Sequence, residues 1–140
     1  TAIQNGTVGL VGKLVTVGAF TSQVMPVYDL KCSVSARIEN TRDLGLLSGL
    51  GSSEMPLTMR YIKKRVLDEL HIGDVIITSG ETENYMRDIP IGSISKITVL
   101  DYDSSLDIEV TPIIDFARLE TVIVTDLKSL NPQYGSEGLK

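Results

Sequence analysis

His71-Ile72-Gly73-Asp74-Val75-Ile76-Ile77-Thr78-Ser79-Gly80 reads as a turn, a strand and a second turn. Gly73-Asp74 reverses the chain, Val75 to Thr78 is a β-branched run suited to a pleated surface, and Ser79-Gly80 ends it. After a loop containing Tyr85 and Met86, the pattern resumes at Ile89-Pro90-Ile91-Gly92-Ser93-Ile94. There Pro90 stiffens the entry to a strand, and Gly92 marks a bulge or a close backbone approach.

The same grammar extends in both directions. Val8 to Phe20 mixes β-branched residues with glycines and predicts a bent strand entered from an Asn5-Gly6 turn. Val24 to Tyr28 contains Pro26, which suits an edge or a bulge, and Cys32 to Ile38 alternates as a strand with one buried face. Glu39 to Asp43 is a polar turn, and Leu46-Leu47 sits in a short strand among glycines. The composition shift at Ser52-Ser53-Glu54 predicts a hinge, with new strands from Leu57. Val66, Leu67 and Leu70 predict one packed turn of helix. Ile94 to Leu100 and Leu106 to Ile113 predict a hairpin around Asp101 to Ser105, and Thr121 to Val124 a last strand. The expectation is an all-β chain of two small six-stranded-type β-barrels, with one open to being incomplete in this fragment. Residues 1–52 form the first, 53–126 the second, and 127–140 a disordered tail.

The 140 residues, 42% hydrophobic, suffice for one ordinary domain or two very small ones. With 13 basic against 18 acidic residues, the net charge of −5 leaves nucleic-acid binding without an electrostatic footprint. Cys32 is the single cysteine, so no internal disulfide forms, and with one histidine there is no zinc-ligand spacing. No apolar run approaches the roughly 20 residues that span a bilayer. The chain begins at Thr1 rather than methionine, and a cut fragment is expected.

Catalytic constellations do not assemble on paper. Gly12-Lys13 is a near miss for a phosphate loop, because Thr7 replaces its first glycine and Leu14 its hydroxyl residue. His71 and Ser79 stand at opposite ends of one strand, roughly 25 Å apart at the rise per residue, and no Gly-x-Ser-x-Gly surrounds a serine. Cys32, with only Lys31 beside it, is read as a small core residue. Asp101, Asp103, Asp107 and Glu109 crowd a turn without the ligand spacing of a calcium loop. Tyr85, Met86 and Ile89 are apolar residues in a polar loop, where they either cap a barrel end or form a protein-binding patch. Val8, Val11 and Val15 mark a row beside an unpaired strand edge, a candidate for self-association. Surface recognition is the function class left, as a scaffold or as a secreted ligand-binding β-barrel module.

Three blocks carry a resemblance. Gly73 to Gly80, then Ile89-Pro90-Ile91-Gly92, then Val110-Thr111-Pro112-Ile113-Ile114-Asp115-Phe116-Ala117-Arg118-Leu119-Glu120-Thr121-Val122-Ile123-Val124 resemble the MreC family of rod shape-determining proteins. Gly6 to Val15 and the blocks from Arg37-Ile38 to Gly45-Leu46-Leu47-Ser48-Gly49 are similar to its upstream strands. Tyr85 to Pro90 departs from the Phe-Pro-Lys-Gly-Leu-Pro type of loop common in the family. The resemblance implies two small β-barrels at the extracytoplasmic, periplasmic face of the inner membrane, anchored by an amino-terminal helix absent from this chain. It implies a scaffold of cell-wall elongation with no enzymatic activity and no cofactor. Its implied partners are a class B penicillin-binding transpeptidase, MreD, RodA and MreB, together with further copies of itself.

Overall fold

The computed structural model describes residues 2–4, 6–81, 85–102 and 104–124. The expected tail over 127–140 and Asp103 of the acidic turn lie outside the described residues.

Six strands close a barrel. They are β5 (Ser33–Ile38), β6 (Leu44–Ser48), β7 (Leu57–Lys63), β8 (Val75–Thr78), β9 (Pro90–Val99) and β10 (Ser105–Pro112). Around the wall the order is β10, β7, β6, β5, β8 and β9, every neighbour antiparallel, and β9 pairs β10 to complete the ring. Alternation fills the interior: Val34, Ala36 and Ile38 point inward from β5, and Leu106, Ile108 and Val110 do so from β10. Leu47, Met59, Ile76, Ile91 and Ile94 complete a core that includes Cys32.

The decisive stretch folds as read. Asp74 and His71 close the turn by reciprocal bonds, the Asp74 amide to the His71 carbonyl at 3.0 Å and the His71 amide to Asp74 Oδ2 at 3.0 Å, with Gly73 at φ 97°. Gly92 shows both expected features. The β8–β9 register shifts beside it, and a Cβ there would lie 2.2 Å from the Thr111 carbonyl oxygen. The predicted turn of helix is a 3₁₀ helix, Lys64–Glu69, whose Val66 enters the core.

The expected division near Ser52 is corrected by strand pairing. β6 and β7 lie on either side of it and pair directly, Leu46 with Arg60, Leu47 with Met59 and Ser48 with Thr58. Ser52 to Met55 is a tight turn within that pair, with the Met55 amide on the Ser52 carbonyl and the Glu54 amide on the Ser52 hydroxyl. A polar Ser-Ser-Glu stretch satisfies a turn as well as a linker. One barrel therefore draws strands from both expected halves. Where the incomplete barrel is expected, the amino-terminal part forms two ribbons among the described residues, β1 (Ala2–Gln4) with β2 (Thr7–Gly9), and β3 (Gly12–Val17) with β4 (Ser22–Pro26). The bent strand of the sequence reading is thus two strands, and Thr121 to Val124 lies outside the sheets.

The ribbons join the segment that leaves the barrel. Val11 and Ile114 are buried together with Phe116 and Leu119 against them, and Gly9 lies against Ile113 and Ile114. The Leu10 amide reaches the Pro90 carbonyl at 2.8 Å. The barrel is inserted between two flanks that touch each other.

A candidate protein-interaction surface

Tyr85 enters the core and Ile89 packs against it, while Met86 is half-buried. Tyr85 is 6% exposed, and its hydroxyl lies 3.3 Å from Cys32 Sγ. Burial is the main cause that pushes the Cys32 thiol and the Tyr85 phenol above their ordinary values, so both stay protonated. Thr78, wholly buried, ties the loop down: its hydroxyl donates to the Met86 carbonyl and accepts from the Ile89 amide at 2.8 Å. Its backbone bonds Ile89 and Asp88 as well. This loop seals the end of the barrel, and outward it presents the ion pair of Arg87 and Asp88.

Val8, Val11 and Val15 separate. Val8 is 40% exposed on β2 and Val15 48% exposed on β3, but Val11 is 5% exposed, covered by Ile114. Val15 falls where the β3–β4 register shifts, between the paired Leu14 and Thr16. The sequence reading missed the tip of this ribbon. Phe20 is 99% exposed there, with Val17, Leu14 and Val24 exposed along the strands. A signal was available, since Lys13 is the only charge between Thr1 and Tyr28. An uncharged, half-exposed ribbon with apolar side chains is an interaction surface by composition.

Ser79 and His71 are not brought together. The Ser79 hydroxyl lies 2.9 Å from the Ser35 hydroxyl and 3.0 Å from the Ser35 carbonyl, and accepts from the Glu81 amide. His71 is exposed at the far turn. A shallow groove of about 410 Å³ lies outside the barrel, between Met55, Pro56, Ile114 and Phe116, with Glu54 and Glu109 on its rim. Among the described residues no three His, Cys, Asp or Glu side chains gather to hold a metal.

Residues 3–126 match the family described as rod shape-determining protein MreC, barrel core. The cell shape-determining protein MreC of Cereibacter sphaeroides is 27% identical over 125 residues, which are 89% of this chain and 38% of that protein. The chain thus spans well under half the length of that relative. The crystal structure of MreC from Pseudomonas aeruginosa superposes with a TM-score of 0.67 at 18% identity, covering 77% of this chain and 69% of that one. MreC in a complex with the penicillin-binding protein PBP2 from Helicobacter pylori gives 0.58 at 20% identity, covering 85% and 78%. These two likenesses are of fold. With the family matched over nearly the whole length, the chain belongs to the MreC family of rod shape-determining proteins.

Proposed function

We propose that this chain is a non-catalytic scaffold region of the bacterial cell-wall elongation complex, which maintains rod shape by binding and organising a class B penicillin-binding transpeptidase. The observation that carries the reading is the family match over residues 3–126. The fold likeness to an MreC in complex with PBP2 supports the choice of partner. The interior of the barrel, filled by side chains from all six strands, supports recognition by the outer surface rather than by an enclosed ligand site.

In this reading the region sits at the periplasmic face of the inner membrane, its parent anchored by an amino-terminal helix. MreD, RodA and MreB are reached through the membrane complex. The chain also self-associates, with the exposed ribbon around Val8, Val15 and Phe20 as the contact. The test is capture of the purified transpeptidase ectodomain of the same organism by the immobilised chain. Saturable capture that persists in Ser79→Ala is expected. Failure to capture it at micromolar concentration sinks the scaffold reading, and turnover of a peptide or ester that vanishes in Ser79→Ala replaces it with an enzyme.

A further inference from the structure

Arg60-Tyr61-Ile62-Lys63-Lys64-Arg65 places four of the chain's 13 basic residues in six positions, at the end of β7 and the start of the 3₁₀ helix. A regular strand would send Arg60 outward, Tyr61 inward and Ile62 outward. The ladder to β10 slips instead. Ile62 pairs with Leu106 and Met59 with Ile108, so Arg60 and Tyr61 together oppose Asp107. Tyr61 occupies this bulge at φ 72° and is 64% exposed, while Ile62 is returned to the core. The bulge therefore sets Arg60, Tyr61 and Lys63 side by side on the outer wall. A left-handed backbone is costly for any residue with a Cβ, and this ring, mostly exposed, recovers little of that cost by packing.

Among the described residues the cations are also unspent. Ion pairs among the described residues join Arg37 to Glu81, Arg87 to Asp88 and Arg118 to Asp115, and none involves Arg60, Lys63, Lys64 or Arg65. Among the described residues, the carboxylates in the neighbourhood are Asp107 across the bulge, Glu109 further along β10 opposite Thr58, Asp68 and Glu69 later in the helix, and Asp101 in the β9–β10 turn. That turn meets the start of the helix through the Lys64 amide on the Ser104 carbonyl at 3.0 Å.

From this geometry we infer that the bulged face of β7 docks an acidic segment of a partner protein, whose carboxylates meet Arg60, Lys63 and Arg65 while an apolar side chain covers the Tyr61 ring. Tyrosine flanked by arginine is the composition found at the energetic centre of protein interfaces. β7 is hydrogen-bonded on both sides within a closed barrel, so the contact is made by side chains rather than by strand addition. An anionic membrane would suit the same cations less well. A broad negative plane also meets Asp68, Glu69, Asp101 and Asp107, whereas a narrow segment can touch the cations alone. A fluid headgroup layer, moreover, gains nothing from a ring held in one costly conformation.

The inference does not depend on the scaffold reading, and its test uses the full 140-residue chain. The isotope-labelled protein is titrated, by heteronuclear NMR at low salt, with a short synthetic peptide alternating Glu and Val. A peptide with Lys in place of Glu and vesicles rich in phosphatidylglycerol are the counter-probes. Saturable shifts confined to Arg60 to Arg65 and the adjoining parts of β6 and β10 are expected with the Glu peptide only. The double variant Lys63→Gln/Arg65→Gln should weaken binding about tenfold, at the upper range for two exposed charges. Tyr61→Gly should weaken it as much while its melting temperature holds or rises, a split that a merely structural tyrosine would not produce. Lys31→Gln, an exposed lysine elsewhere, should change nothing. The inference is overturned by absent or scattered shifts, by an equal response to the Lys peptide, by unchanged affinity in the bulge variants, or by an equal loss in Lys31→Gln. Tighter binding to the vesicles than to the Glu peptide overturns it in favour of a membrane surface.

Discussion

At position 92 a side chain has nowhere to go. The nearest obstacle is backbone, the Thr111 carbonyl, so the barrel wall itself would have to part. Gly92→Ala is expected to cost about 3 kcal/mol in a urea titration, the high end for overpacking. Tyr61 is the opposite case. Replacing it with glycine removes a left-handed strain of about 1–2 kcal/mol and adds glycine's unfolded-state entropy, so a net gain of about 0.5–1 kcal/mol is expected from the same titration. Cys32 and Tyr85 add a pH dependence. Their burial raises the pKa of both groups above the unfolded values, so the stability they contribute is complete below the unfolded thiol value of 9.0 and is lost as pH rises beyond it. Chemical denaturation at pH 8 and 10.5 should show that loss in the native chain and a smaller one in Cys32→Ala. Gly92 was legible in the sequence because a glycine inside a β-branched run has few other uses. Tyr61 was not, because tyrosine is an ordinary strand residue and its conformation is imposed by a register slip against β10, far along the chain. Tyr85 stayed ambiguous for the same reason: the thiol that it covers is 53 residues away.

The strands themselves were largely readable, since alternation is local. β5 could be written down residue by residue, with Val34, Ala36 and Ile38 inward. Pairing is not local, and there the boundary expected near Ser52 met its limit. Ser52 to Glu54 carries the polar composition of a linker, but only the register of Leu46 to Ser48 against β7 reveals a turn inside one sheet. The ribbons differ from the barrel strands in kind. Each barrel strand has two partners, whereas β3 and β4 have only each other among the described residues. Native-state hydrogen exchange should therefore release the amides of β3 and β4 well before those of β5, β8 and β10. Simultaneous release from both would mean that ribbon and barrel open as one unit.

The whole molecule is a closed ring of strands with its entry and exit held together. Truncation inside the ring, as in Ile76→Ala, is expected to cost about 2–5 kcal/mol of global stability by urea titration. Val11→Ala should instead loosen the ribbons while leaving the barrel amides protected. The touching flanks have a mechanical consequence. Tension applied through the two flanking segments is shared between the Val11–Ile114 contact and the bonds that hold each flank to β9, Leu10 to Pro90 and Ile113 to Ile91. Until the clasp slips, a pull on the flanks is taken up where they meet each other and the edge of β9, ahead of the other five strands. Once it slips, residues 33–112 can pay out roughly 280 Å of chain at the extended length per residue. That length is released only when the closed barrel also opens, so the clasp is the first of two mechanical barriers in series.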